Sequence, residues 1–124
     1  MRIFKTKWVA RFVRRERIND ASLKEAIERA ERGIIDADLG GGLIKQRVAR
    51  PGRGRSGGFR MIVAYRTEER AFFLYGFAKN ERGNIDKDEE EALKKLSAHL
   101  LSLPAQAMDQ AARAGELIEV NCDA

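Results

Sequence analysis

The sequence is poor in the residues that build disulfides, metal centres and membrane spans. Its 124 residues include one cysteine, Cys122, and one histidine, His99. A single cysteine excludes an intrachain disulfide, and these two residues cannot supply the four ligands of a structural zinc site. The longest apolar run, residues 71–78, is far shorter than the roughly 20 residues that cross a bilayer. We therefore expect a cytoplasmic protein without membrane contact, cofactor or metal.

What the sequence has in excess is positive charge, and that charge is clustered. Lysine and arginine number 24 against 19 aspartates and glutamates, for a formal net charge of +5. Residues 2–17 hold seven basic side chains against one acid, residues 44–60 hold six against none, and acids collect in residues 86–91. Such clustering predicts a polyanionic partner such as nucleic acid. The alternative interpretation is an ordinary solvated surface.

The length and composition favour a single domain spanning residues 1–124. The chain is 44% hydrophobic, which is enough to form one core at this size. It contains no internal repeat, no low-complexity linker and no shift in composition that would mark a domain boundary.

Hydrophobic periodicity predicts both helices and strands. Thr6 is positioned to cap a first helix, and Ser22 and Glu25 have the spacing of a capping box for a second. Asp86 is positioned to cap a third helix, which Pro104 ends or kinks. The predicted strands lie at residues 3–5, 43–49, 59–66 and 71–79, with a short candidate at 117–120.

This order of elements predicts an α+β fold, with a helical hairpin and a C-terminal helix packed on a small, mainly antiparallel sheet. The later strands follow one another with short links, which is typical of antiparallel hairpins. We expect the helices to cover one face of the sheet. The other face would then carry the exposed basic residues.

The segment between two of the strands is rich in glycine and arginine. Residues 50–58 contain four glycines, a serine and three arginines, namely Arg50, Arg53 and Arg55. This composition allows backbone N–H groups and guanidinium groups to approach a phosphate closely. The segment lacks the GxxxxGK[ST] pattern, which excludes a P-loop. Two interpretations remain open, a contact to nucleic acid and an ordinary hairpin tip.

The residues available for catalysis are cations. No Ser-His-Asp or Cys-His arrangement is available, because His99 falls beside the apolar stripe of the last helix, where we expect it to be packed. RNA cleavage needs neither arrangement, since the ribose 2′-hydroxyl is an internal nucleophile beside the scissile phosphate. Clustered cations also lower one another's pKa values, which would allow a lysine to act as a base. The natural set lies on or at the ends of three adjacent strands: Lys45, Arg47, Arg60 and Lys79.

Three strand segments and the tail carry a resemblance to a known family. They are Leu-Ile-Lys-Gln-Arg at 43–47, Gly-Arg-Ser-Gly-Gly-Phe-Arg at 54–60, Phe-Phe-Leu-Tyr-Gly-Phe-Ala-Lys-Asn-Glu-Arg at 72–82, and Gly-Glu-Leu-Ile-Glu-Val at 115–120. Together they resemble the RelE/ParE toxin superfamily of bacterial toxin–antitoxin modules, and most of all its RelE-like HigB branch. The resemblance covers nearly the whole chain.

The resemblance implies a compact α+β fold and a ribosome-dependent endoribonuclease. Such a toxin cleaves mRNA in the decoding site without a metal, by a 2′-hydroxyl attack that leaves a cyclic phosphate. The implied partners are the ribosome with its mRNA and a cognate antitoxin that binds and silences the toxin. The free toxin is expected to be a monomer.

Site roles follow from the resemblance together with charge chemistry. Lys45 is the candidate base, Arg47 and Arg60 are candidate phosphate stabilisers, and Lys79 is a candidate acid or second clamp. The candidate contacts to RNA or the ribosome are Arg14, Arg15, Arg50, Arg53 and Arg55. Asn80 stands where many members have a second basic residue, and Ile85-Asp86 occupies a stretch where some members have a tyrosine. The resemblance therefore supplies no obvious donor for the leaving oxygen.

Two other functions fit the basic sequence. A ParE-like toxin would bind gyrase without being an enzyme, although it would not need the basic strand residues. A nucleic-acid-binding module without catalysis or toxicity would show binding that weakens steeply with salt.

Overall fold

The computed structural model describes residues 1–50 and 54–120, and the side chains of residues 54–57 lie outside this description. The described elements are β1 (Arg2–Thr6), α1 (Lys7–Glu16), α2 (Asp20–Glu31), β2 (Ala37–Gly40), β3 (Leu43–Arg50), β4 (Gly54–Arg66), β5 (Arg70–Ala78), α3 (Lys87–Leu101), α4 (Ala105–Arg113) and β6 (Leu117–Glu119). The strands form one sheet in the order β2-β3-β4-β5-β1-β6. The predicted α+β class is confirmed, and β2 and α4 are additions to the predicted elements.

The sheet is mainly antiparallel, as predicted. β3 pairs with β4 so that Arg47 is directly opposite Arg60, and β4 pairs with β5 so that Arg60 is directly opposite Phe77. The pairing of β1 with β5 is parallel, and it begins with Arg2 opposite Arg70. The three central strands therefore bring residues that are far apart in sequence into one row.

Polar side chains fix where the first two helices begin. The Thr6 hydroxyl accepts a hydrogen bond from the Val9 N–H at 3.2 Å, which confirms the predicted cap of α1. The start of α2 differs from the prediction. Asn19 is its cap, because its side-chain oxygen accepts a hydrogen bond from the Ser22 N–H at 2.9 Å. The Ser22–Glu25 capping box is therefore wrong, since Asn19 lies three residues earlier and competes for the same helix start.

The third helix begins at Asp86, as predicted. The Asp86 carboxylate accepts a hydrogen bond from the Glu89 N–H at 2.8 Å, and the Glu89 carboxylate accepts one from the Asp86 N–H at 2.9 Å. This reciprocal capping box satisfies two N–H groups that a helix start would otherwise leave unpaired. Pro104 then separates α3 from α4. None of the helices in the described residues is both long and apolar enough to cross a membrane.

Helices cover both faces of the sheet, which corrects the prediction of a single covered face. On one face, Phe59 and Met61 of β4 pack in a core cluster with Phe12 of α1 and with α2. On the other face, Ile62 of β4 packs in a second cluster with Leu100 of α3 and with α4. Alternate residues of a strand point to opposite faces, so β4 is buried on both sides.

Candidate cationic site

Three of the four predicted catalytic residues are neighbours on the face that α3 covers. Arg47 and Arg60 are directly opposite each other on β3 and β4, and Lys45 is two residues before Arg47. Lys45 is directly opposite Ile62, which packs in the α3–α4 core cluster. Alternation along the strands therefore puts all three cations on the α3 side of the sheet. We call Lys45, Arg47 and Arg60 the cationic cluster.

Lys79 follows the end of β5 beside this cluster. Its N–H donates a hydrogen bond to the Gly58 carbonyl at 3.2 Å, which extends the pairing of β4 and β5. Phe77, two residues earlier, is directly opposite Arg60. Alternation thus directs the exposed Lys79 side chain to the same face as Arg60. The sheet register brings together all four residues that the sequence proposed as catalytic.

Arg60 is the buried member of the cluster. Only 6% of its surface is exposed, whereas the Arg47 side chain is about half exposed. Burial lowers the pKa of Arg60, the charge of Arg47 lowers it further, and Asp36 acts in the opposite direction. Like charges directly opposite each other on a sheet are destabilising, and perturbed groups of this kind concentrate at functional sites.

Asp36 is an acidic neighbour of the cluster that sequence reasoning missed. Its carboxylate accepts a hydrogen bond from the backbone N–H of Arg47 at 2.6 Å and lies 4.0 Å from the Arg47 guanidinium. The same carboxylate lies 3.4 Å from the guanidinium of Arg29, which also donates to the Arg47 carbonyl oxygen. Asp36 therefore holds the backbone of Arg47 in place and balances part of the positive charge.

Gln46 holds the segment around Asp36 against β3. It is fully buried, and its amide oxygen accepts a hydrogen bond from the Asp36 N–H at 2.8 Å. Its amide nitrogen donates to the carbonyl oxygens of Ala26 at 2.9 Å and Ile34 at 3.1 Å. This buried amide with satisfied partners ties α2 and the following loop to β3, between the half-buried Lys45 and the exposed Arg47. Gln46 occupies a position on the apolar face of β3, and this pattern in the sequence could have predicted that its side chain is buried.

A chain of hydrogen bonds extends from the cluster across the loop before α3. Lys45 Nζ donates to the side-chain oxygen of Asn84 at 3.3 Å, and Arg82 Nε donates to the Asn84 carbonyl at 2.9 Å. Arg82 Nη1 then donates to the Tyr75 hydroxyl at 3.3 Å. The side chains of Lys45 and Tyr75, on strands β3 and β5, are thus joined through residues 82–84.

Arg82 is held by Glu89, and this pair has a testable pH dependence. Two hydrogen bonds, at 2.6 and 3.1 Å, join the groups, and the arginine is the main cause that lowers the pKa of Glu89 from 4.5 to about 2. Because the folded-state pKa is lowered, the contribution of this carboxylate to stability is present above pH 4.5 and is lost as pH falls towards 2. We expect a Glu89→Gln variant to be less stable than the wild type near pH 6, with a difference that closes over that range.

Urea unfolding at a series of pH values measures this difference. The matched control is the same substitution in an Arg82→Gln background. The pH-dependent part of the stability difference should shrink there, because Arg82 is the main cause of the lowered pKa of Glu89. A difference that stays constant between pH 6 and pH 2, or that persists in full without Arg82, would contradict the pairing.

Two of the other predicted RNA contacts, Arg50 and Arg15, lie on the opposite side of the sheet from the cluster. The Arg50 guanidinium lies 5.3 Å from the centroid of the Phe59 ring, and that of Arg15 lies 5.5 Å from the ring of Phe12. Phe12 and Phe59 pack edge to face in the core cluster of α1 and α2, so both arginines belong to that side of the sheet. Glu16 lies beside both, 4.0 Å from Arg50 and 3.2 Å from Arg15.

Arg14 lines a separate surface cavity of about 410 Å³ together with Lys7 and Arg11 of the same helix. Arg53 lies outside the described residues, as does the side chain of Arg55. Among the described side chains, the structure thus separates the cationic cluster on the α3 side from Arg14, Arg15 and Arg50 on the α1 side.

His99 lies on the exposed side of α3, which corrects the expectation that it is packed. It lines a cavity of about 520 Å³ between α3 and α4, with Leu96 and Leu103 among its neighbours. Within residues 1–50 and 54–120, no group of three or more His, Cys, Asp or Glu side chains is arranged to hold a metal ion. The described titratable residues beside the cluster are therefore mainly cations.

The chain matches the model of one protein family over almost its full length. That family is described as the RelE toxin of the RelE / RelB toxin–antitoxin system, and the match covers residues 1–120. No curated protein matches the chain. The matched region contains every described strand and helix and all four residues of the predicted catalytic set.

Proposed function

The chain belongs to the RelE toxin family, and we propose that it is a ribosome-dependent endonuclease that inhibits translation by cleaving mRNA. Membership makes it a toxin and implies an antitoxin partner. The observation that carries the proposed activity is the burial of Arg60 directly opposite Arg47 on one sheet face. Two guanidinium groups directly opposite each other carry an electrostatic cost for the fold, and a phosphate group would bind both.

The proposed reaction is an internal transfer of the phosphate. The 2′-oxygen of the ribose attacks the phosphorus, the bond from phosphorus to the 5′-oxygen breaks, and a 2′,3′-cyclic phosphate remains on the upstream fragment. Lys45 is the proposed base for the 2′-hydroxyl proton. Lys79 is the proposed acid for the 5′-oxygen or a second clamp on the phosphate. No water enters this step, so alignment and charge neutralisation are the main tasks of the protein.

Arg47 and Arg60 are the proposed stabilisers of the transition state. Charge develops on the non-bridging phosphate oxygens as the attack proceeds, and guanidinium groups bind such oxygens through two parallel hydrogen bonds. Arg60 acts from a largely water-excluded position, where an electrostatic interaction is stronger than in water. Asp36 fixes the backbone of Arg47 and so limits the movement of one of the two groups.

The proposal also covers the targets of the toxin, its location and its oligomeric state. The ribosome and mRNA are the proposed targets, the cytoplasm is the proposed location, and the free toxin is proposed to be a monomer that its antitoxin silences. Within the family, the HigB-like branch stays a prediction.

Inducible expression with mapping of mRNA 5′ ends tests the activity. We expect growth to stop and mRNA breaks to accumulate, and we expect the purified protein to cut mRNA only when ribosomes are present. A Lys45→Met variant should cut roughly 10²- to 10⁴-fold more slowly, as expected for loss of a general base. Lys95→Met is its matched control, because Lys95 is exposed on α3 away from the sheet face.

The outcomes distinguish the alternatives. Intact mRNA together with induction of the DNA-damage response would reject the nuclease and support the gyrase-binding function. Harmless expression with salt-sensitive binding to RNA would support the non-catalytic module. A Lys45→Met protein that cuts as fast as the Lys95→Met control would remove Lys45 from the mechanism.

A further inference from the structure

An exposed tryptophan lies at the edge of β5, where it contacts one ring from each side of the sheet, and the phosphate chemistry leaves it without a role. Trp8 is 37% exposed although it is a large apolar residue. Its ring lies 4.5 Å from that of Tyr75, tilted by 33°, and 5.3 Å from that of Phe12, almost parallel to it. Trp8 is thus held in place by two rings while more than a third of its surface faces solvent.

The sheet register connects this surface to the cluster. Tyr75 is directly opposite Ile62, and Ile62 is directly opposite Lys45. Because Ile62 is fully buried, the connection between Lys45 and Tyr75 at the surface runs through Asn84 and Arg82. Neighbouring strands lie about 4.8 Å apart, so the backbones of Lys45 and Tyr75 are separated by roughly 10 Å. The pairing of β1 with β5 ends at Phe73, and Trp8 in the first turn of α1 lies against the edge of β5 beyond it.

Cations accompany the aromatic rings. The Tyr75 hydroxyl accepts a hydrogen bond from Arg82, and the guanidinium of Arg82 also lies 5.7 Å from the centroid of the Phe77 ring. Lys45 follows on the other side of Arg82, because both residues donate hydrogen bonds to Asn84. Proteins that bind single-stranded nucleic acid combine positive charge for the backbone with aromatic side chains against which the bases stack. The hydrogen-bonded chain from Lys45 through Asn84 and Arg82 to Tyr75, with Trp8 beside it, therefore places cations next to an exposed aromatic ring.

We propose that Trp8 and Tyr75 form a binding site for a nucleobase of single-stranded RNA, beside the phosphate held by the cationic cluster. The identity of that phosphate as the scissile one rests on the proposed function. The base contact does not, because it needs only RNA and the aromatic surface. Loss of one base stack weakens binding by roughly 5- to 100-fold, and the site would therefore set how the RNA strand is aligned over Lys45.

Trp8 is the only tryptophan of the chain, so its fluorescence reports directly on this site. The probe is a short oligoadenylate with 2′-O-methyl groups, which cannot undergo the 2′-hydroxyl reaction. The comparison probe is an abasic oligonucleotide of the same length and charge. We expect saturable quenching by the first probe and binding at least about 5-fold weaker, with little quenching, for the second. Equal quenching by the two probes, or no quenching by either, would overturn the proposal. No quenching by either is the result expected if Trp8 contacts a partner protein rather than RNA.

Substitutions at Trp8 provide a second measurement by anisotropy of the labelled oligoadenylate. Trp8→Phe retains an aromatic ring and should bind within about 2-fold of the wild type, while Trp8→Leu retains an apolar side chain only and should bind at least about 5-fold more weakly. Leu96→Ala is the control, because Leu96 is equally exposed, at 38%, on a different surface. Equal binding by the Phe and Leu variants would also overturn the base site.

Both measurements are made without ribosomes, so their results do not depend on the proposed ribosome-dependent cleavage. Ribosome-dependent cleavage together with equal binding of the intact and abasic probes would reject the base site and leave the nuclease. Base-dependent quenching without any cleavage would reject the nuclease and leave the base site.

Discussion

Replacing Arg60 by methionine is expected to lower ribosome-dependent mRNA cleavage by roughly 10²- to 10³-fold, which is the effect of removing one preorganised charge donor from a transition state. Methionine is similar in length and apolar, so the substitution leaves little cavity in a position that is only 6% exposed. Burial and the Arg47 charge lower the pKa of Arg60, and Asp36 acts in the opposite direction. Cleavage is compared at a temperature below the thermal midpoints of both proteins, so that a change in stability is not counted as a change in activity.

Arg66→Met is the matched control for this variant. Arg66 lies on the same strand and, by alternation, on the same face, but at the far end, where it pairs with Glu69 at 3.3 Å. It should retain cleavage and growth arrest. Undiminished toxicity of a stable, well-expressed Arg60→Met protein would remove Arg60 from the mechanism, and equal losses in both variants would show that general positive charge is what matters.

The two-sided burial of the sheet could have been predicted from β4. Phe59, Met61 and Val63 occupy one face of the strand, while Ile62 and Ala64 occupy the other, and both sets are buried. A strand that is apolar at successive positions is typical of a sheet covered on both sides. The error was to place helices on one face only. By contrast, β2 gives little local signal, because four residues that include an aspartate and a glycine form a strand only through pairing with β3.

The shared face of Lys45 and Arg47 could also have been predicted, but the acidic partner could not. Lys45 and Arg47 are two residues apart on β3, so alternation predicts that they share a face. The register shift between Val48 and Arg50 breaks this alternation, and the contact of Arg50 with the Phe59 ring shows its side of the sheet. Asp36 lies in a loop before β2, and only the hydrogen bonds from Gln46 and the Arg47 backbone bring it to the cluster. Contacts of this kind depend on tertiary packing, which a periodicity in sequence does not encode.

Replacing Gly58 by alanine is expected to give the largest combined loss of stability and activity. A Cβ at this position would lie 2.3 Å from the carbonyl oxygen of Val48 and 2.7 Å from the backbone nitrogen of Arg50, and neither backbone atom can rotate away. The register between β3 and β4 shifts at this point, and the Gly58 carbonyl also accepts the N–H of Lys79. The three central strands therefore meet at a site that has room only for glycine.

We expect Gly58→Ala to be less stable by about 1–3 kcal/mol, the range for an overpacked core, measured by urea unfolding. Cleavage measured at a temperature where the variant is still folded should fall by up to about 10²-fold, because Arg60 two residues away would be misaligned with the phosphate. Gly83→Ala is the matched control, since no atom lies within 4 Å of its added Cβ and its φ is outside the left-handed region. That variant should equal the wild type or exceed its stability by less than about 1 kcal/mol. If Gly58→Ala matches Gly83→Ala in both measurements, the close approach of β3 and β4 does not position the cationic cluster.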